Sequence, residues 1–166
     1  MKKSHNHRLG LFLVAACLSA TVLAETKATE SAAKPVHGEY IDWRLLGVSH
    51  REDKKTLRAI LGNDTAITAA RTDRTKPWPD GSILAKVVWK ESTHPSWPLA
   101  IIPGEFASAE AMVKDSAKYA STGGWGFGQW QAGKLVMHDE AKAKECFACH
   151  TPMKYNDYVY TFSALK

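Results

Sequence analysis

The chain has 166 residues, of which 45% are hydrophobic and 23% charged, with a formal net charge of +5. That is the composition of an ordinary globular protein, with room for one domain and a substantial core. The first 24 residues hold three of the 22 basic residues and none of the 17 acidic ones, so the balance over the remainder falls to +2 and no strong case for nucleic acid or an anionic membrane is left.

Residues 1–24 read as a signal peptide. Met1 to Arg8 is a basic segment with Lys2, Lys3 and Arg8, Leu9 to Leu23 is an apolar and small-residue run, and Val22-Leu23-Ala24 predicts cleavage before Glu25. An apolar run of about 15 residues is short for a membrane-spanning helix, and no later segment approaches it. The mature protein is therefore expected in the periplasm. Val14-Ala15-Ala16-Cys17 also resembles a lipobox, which would lipidate Cys17 and tether the chain to a membrane. The apolar run continues past Cys17 to Ala24, where a lipidated cysteine normally leads into a polar tether, and this favours plain cleavage.

Residues 25–38 are polar and lack apolar periodicity, and read as a disordered N-terminal arm; residues 39–166 read as the folded domain. Tyr40 to Val48 suits a helical turn or a strand. Thr56 to Leu61 predicts a strand, and Asn63-Asp64 can cap a short helix through Ala70. Lys76 to Gly81, with two prolines and an Asp-Gly pair, is a turn. Ser82 to Lys90 is the clearest strand, with another expected at Leu99 to Ile102. Ser108 to Tyr119 predicts a helix, Gly123-Gly124 breaks the chain, and Trp125 to Gln131 predicts a strand. Asp139 to His150 predicts a helix and Tyr158 to Phe162 a closing strand. The result is an α+β chain with more strand than helix, and too many Pro and Gly breaks for a four-helix bundle.

Of three cysteines, Cys17 lies in the leader, so Cys146 and Cys149 remain, and no spare pair supports a disulfide framework. Cys146-Phe147-Ala148-Cys149-His150 has the C-x-x-C-H pattern of c-type haem attachment. Two thiols one helical turn apart can each add to a vinyl group, and the adjacent His150 then falls beneath the iron as its proximal ligand. A zinc site would need a second ligand pair, and a thioredoxin-like redox pair would need a βαβ setting. The reading is one covalent haem c, with Cys146, Cys149 and His150 binding the cofactor and His150 the iron.

The opposite axial face has no obvious protein ligand. Only 16 residues follow His150, and Met153 lies too close in sequence to reach round. Met112, Met137, His37, His50, His94 and His138 are candidates, each more commonly a surface or core residue, so an open sixth position is expected. Within Ser82 to Lys90 both faces are apolar except for Lys86. A buried lysine must be paired, neutralised or chemically altered, whereas one on an edge strand reaches water. Beside a haem, an unprotonated amine is a nucleophile.

From Tyr40 to Phe162 the chain resembles cytochrome P-460, the c-type haem protein of ammonia-oxidising bacteria, and its relative cytochrome c-prime-beta. The matching features are Tyr40-x-x-Trp43, Thr56-x-Arg58, Asp80-Gly81 leading to Lys86, Val113-Lys114-Asp115-Ser116, Gly124-Trp125, the haem motif, and Asp157-x-Val159-x-Thr161. The resemblance implies a mostly antiparallel β-sheet with a few short helices, a proximal His150, an open distal site and a homodimer. It implies further that Lys86 bonds the porphyrin rim, that Arg58 lies near the haem, and that hydroxylamine is oxidised with electrons passed to an external soluble acceptor. The c-prime-beta relatives instead bind nitric oxide without that turnover. An electron-transfer cytochrome is a third possibility. Pro77-Trp78-Pro79 and the loop lengths depart from the pattern. Trp125, Phe127 and Trp130, interleaved with Gly126 and Gly128, either let a flat macrocycle approach closely or belong to the core.

Overall fold

A computed structural model describes residues 38–165. The expected leader at 1–24 with Cys17, the arm at 25–38 apart from Gly38, and His37 lie outside the described residues.

After a 3₁₀ turn at Glu39–Asp42 come β1 (Arg44–Arg51), β2 (Thr56–Gly62), α1 (Asp64–Arg71), β3 (Ile83–His94), β4 (Trp97–Lys114), β5 (Trp125–Gln131), β6 (Lys134–Met137) and α2 (Glu140–His150). A further 3₁₀ turn, Thr151–Asn156, follows α2 directly. The six strands form one antiparallel sheet in chain order. The fold is therefore the α+β, mostly antiparallel arrangement expected.

Local chemistry sets the element starts. Asn63 caps α1, its Oδ1 accepting from the Ala66 amide at 3.0 Å. The same oxygen accepts from the Ile83 amide at 3.1 Å and Asn63 Nδ2 donates to the Gly81 carbonyl at 2.8 Å, which ties the start of α1 to the start of β3. Asp139 caps α2 by accepting from the Lys142 amide at 2.8 Å. Ala132 and Gly133, at φ 48° and 80°, form the two-residue hairpin between β5 and β6.

Both faces of the sheet are covered. On one, Ile60, Leu84 and Phe127 pack with Leu46, Trp78, Val159 and the α1 residues Ala66, Ile67, Ala69 and Ala70, and Cys146 and Phe147 of α2 lie against this cluster. On the other, Ala85, Val87, Ala109, Ala111 and Trp130 pack with Tyr40, whose ring meets Trp130 edge-on at 4.6 Å, while Trp43 meets it at 5.9 Å. This double burial explains why the first part of β3, Ile83 to Trp89, is apolar apart from Lys86.

Three sequence expectations change. Ser108 to Tyr119 is not a helix: its first half completes β4, with Ala109 and Ala111 buried on one face and Glu110 and Met112 on the other. Ladders to β3 and β5 on either side outweigh the helix preference of an Ala-, Glu- and Met-rich segment. Tyr158 to Phe162 is not a strand, because Asp157 and Tyr158 take left-handed conformations at φ 49° and 65° and turn the chain away from any ladder. The strand β6 at Lys134–Met137 was not anticipated.

Candidate functional site

The second half of α2 carries Cys146, half-buried, and Cys149, exposed, one helical turn apart, and both thiols are free. His150 ends the helix, with its ring between Phe127 at 5.3 Å and Tyr160 at 5.4 Å. Its Nδ1 lies 2.7 Å from the Tyr158 carbonyl oxygen. A carbonyl can only accept, so Nδ1 carries a proton, and in the neutral ring the lone pair is then on Nε2. Burial is the main influence on the imidazole and lowers its pKa, with the Tyr158 hydrogen bond opposing it. The ring is thus oriented, and burial favours its neutral form, the form that can ligate a metal. Burial likewise raises the Cys146 thiol.

Lys86 lies on β3, third of six strands, so the edge position considered for it does not apply. Its flanks Ala85 and Val87, and Leu84 and Val88, are buried, while the Lys86 side chain is 35% exposed and forms an ion pair with Glu110, its register partner on β4. Ser108 Oγ donates to the other Glu110 oxygen at 3.1 Å. One row across this face runs Ile60, Lys86, Glu110, Gln129. The Lys86 charge lowers the His150 pKa and the Glu110 charge raises it, and Glu110 also acts on Cys146. Both charges therefore stand within electrostatic reach of the C-x-x-C-H segment.

Arg58, on the same face two residues from Ile60, has its pKa lowered by burial first and by Arg51 second, with Glu110 opposing. Its Nε and the Thr56 hydroxyl are buried with no hydrogen-bond partner. Buried donors are rarely left unsatisfied, and two on one strand, on the sheet face that carries Lys86 and Glu110, suit a group bearing carboxylates. By donor chemistry a c-type haem fits these residues.

The remaining candidates are dispersed. Met112 shares the Lys86 face one row along, opposite Leu84 and Phe127, and packs in the core. A side chain added at Gly126 or Gly128 would strike Tyr119, Met137 or the Val136 carbonyl, so these glycines admit β6 and Tyr119 on the far face and give no access to a macrocycle. Trp125 and Trp130 belong to the two core clusters. His50 pairs with Glu91 at 2.7 Å, His94 Nδ1 accepts from the Ser96 amide at 3.1 Å, and His138 follows β6. Among the described residues no three His, Cys, Asp or Glu side chains gather as a metal site.

Glu110 lies in the segment whose composition predicts a helix, and only a period of two over residues 108–114 sets it on the Lys86 face. The Tyr158 carbonyl had no sequence signal. A family model for cytochrome P460 matches residues 38–161. No curated protein matches the chain.

Proposed function

This chain belongs to the cytochrome P460 family of haem-binding, redox-active proteins, and from that premise we propose that it is an exported mono-haem c-type oxidoreductase acting on hydroxylamine or a similar small nitrogen compound. The observation that carries this reading is the Lys86–Glu110 ion pair on the central strands, within electrostatic reach of His150.

In this reading Cys146 and Cys149 would hold the macrocycle through thioether bonds, His150 Nε2 would ligate its iron, and Arg58 and Thr56 would donate to its carboxylates. Bound there, haem c would supply a redox-active iron able to take up a small nitrogen ligand. Converting two hydroxylamine molecules to one nitrous oxide and one water releases four protons and four electrons. The electrons would pass to a soluble acceptor protein, and Glu110, the ion-pair partner of Lys86, would take protons as a general base. The Lys86 amine, once it has lost its proton, would be a nucleophile toward the porphyrin rim. A Lys86 bond to the porphyrin rim would replace one N–H and one C–H by C–N, the two protons and two electrons going to a peroxide-class oxidant.

The ion pair also supports a second reading. An ammonium retained by Glu110 is no nucleophile, and the haem then stays uncross-linked and binds nitric oxide without turning over hydroxylamine. Homodimerisation belongs to the proposal, on the β3–β4 hairpin where Trp97, Leu99 and Ile101 expose alternate positions of a strand whose outer edge β5 leaves unpaired before Glu110.

The test is a digest of the purified holoprotein with mass analysis, alongside hydroxylamine oxidation with an acceptor dye. The enzyme reading expects one haem peptide containing Lys86 and the Cys146–His150 segment, a high-spin ferric spectrum, and turnover. A haem peptide lacking Lys86, with nitric oxide binding and no turnover, selects the second reading. A low-spin six-coordinate iron rejects both in favour of electron transfer.

A further inference from the structure

We infer that the buried ion pair Lys114–Asp157 sets the orientation and donor strength of His150, acting through the Tyr158 carbonyl. Lys114 and Asp157 are positioning residues, and the inference rests on haem c being bound at His150 as proposed above.

Lys114 closes β4 with a side chain only 3% exposed, and Asp157 is 10% exposed. The ammonium donates to both Asp157 carboxylate oxygens at 2.9 and 2.8 Å and to the Gly123 carbonyl at 3.3 Å, and lies 5.0 Å from the centre of the Trp125 ring. Withdrawing two charges from water is costly, and well-packed apolar residues commonly serve stability as well or better. Stability alone is thus a poor reason for this pair.

Its placement offers another. Asp157 is held from several directions: Oδ2 accepts from the Trp78 amide at 2.9 Å, its carbonyl accepts from Trp125 Nε1 at 2.8 Å, and its amide donates to the Lys154 carbonyl at 3.1 Å. So restrained, Asp157 and Tyr158 stand consecutively in the left-handed region, at φ 49° and 65°, which non-glycine residues keep only where the surroundings impose it. The carbonyl that emerges from this turn is the one 2.7 Å from His150 Nδ1. Lys114 therefore holds Asp157, the Asp157–Tyr158 turn aims the carbonyl, and the carbonyl fixes the ring and draws on its Nδ1 proton. A strong acceptor at Nδ1 makes Nε2 a better electron donor and favours the oxidised metal.

The test compares holoprotein carrying Asp157→Asn, Lys114→Met or, as a remote control, Asn63→Ala. The readouts are the midpoint potential by spectroelectrochemistry, the ferrous iron–histidine stretching frequency by resonance Raman, and Tm. We expect Asp157→Asn and Lys114→Met to raise the potential and lower the stretching frequency, and Asn63→Ala to lower Tm while moving neither. Asp157→Asn keeps the side-chain shape and tolerates the left-handed backbone, so it decides the matter should Lys114→Met not accumulate. An Asp157→Asn protein with reduced Tm but wild-type potential and stretching frequency overturns the inference. A wild-type protein without haem c instead overturns the functional proposal, and the two failures are distinguishable.

Discussion

Lys86 and Glu110 face each other directly across β3 and β4, where an ion pair joins two strands whose flanking residues are otherwise buried. Glu110→Gln keeps the shape and removes the charge and the proton acceptor. On the proposed reading, hydroxylamine oxidation should fall by about 100-fold, the lower end of what general acid–base catalysis supplies, while haem attachment through Cys146 and Cys149 is retained. Steady-state assays with an acceptor dye and a haem-stained gel check both halves; undiminished turnover would remove Glu110 from the mechanism.

Asn63 serves both α1 and β3, so Asn63→Ala loses the helix cap and leaves the Ile83 amide without its acceptor. The expected cost is about 1–3 kcal/mol, read as a lower denaturation midpoint. Asn63→Asp retains the accepting oxygen and should recover most of the loss.

Asp80 accepts from Ser116 through the hydroxyl at 2.7 Å and the amide at 2.9 Å, and these bonds hold its carboxyl below the ordinary value of 3.8. A carboxylate with a depressed folded pKa stabilises the native state fully above its unfolded pKa and loses that contribution as pH falls through the folded value. The denaturation midpoints of wild type and Asp80→Asn should therefore differ at pH 7 and converge below about pH 3.8, in the range where a free carboxyl protonates. A constant difference down to pH 2 would contradict the linkage.

Leu99 is 91% exposed on the projecting hairpin, between Trp97 and Ile101. If this face joins two copies, Leu99→Lys buries a charge in the contact. Sedimentation should then show a dimer for wild type and a monomer for the variant, with haem content unchanged; a wild-type monomer rejects the contact.

Much of the chemistry was legible in local sequence because it is local in cause. Two thiols and an imidazole within five consecutive residues need only a helix to present them, and the segment ending at His150 is that helix. The Asn63 cap, the strand at Trp125–Gln131 and the strand around Lys86 also follow from turn residues and short-range pattern. What charge meets Lys86 is a different kind of fact. Glu110 lies 24 positions away, in a segment whose composition favours helix, and it becomes a strand residue only because β3 and β5 pair with it on both sides. The carbonyl that orients His150 belongs to a left-handed turn imposed by Lys114, Trp78 and Trp125, three residues remote in the chain. Backbone propensity acts within a few residues, whereas a ladder or a buried ion pair joins segments that meet only once the sheet has formed.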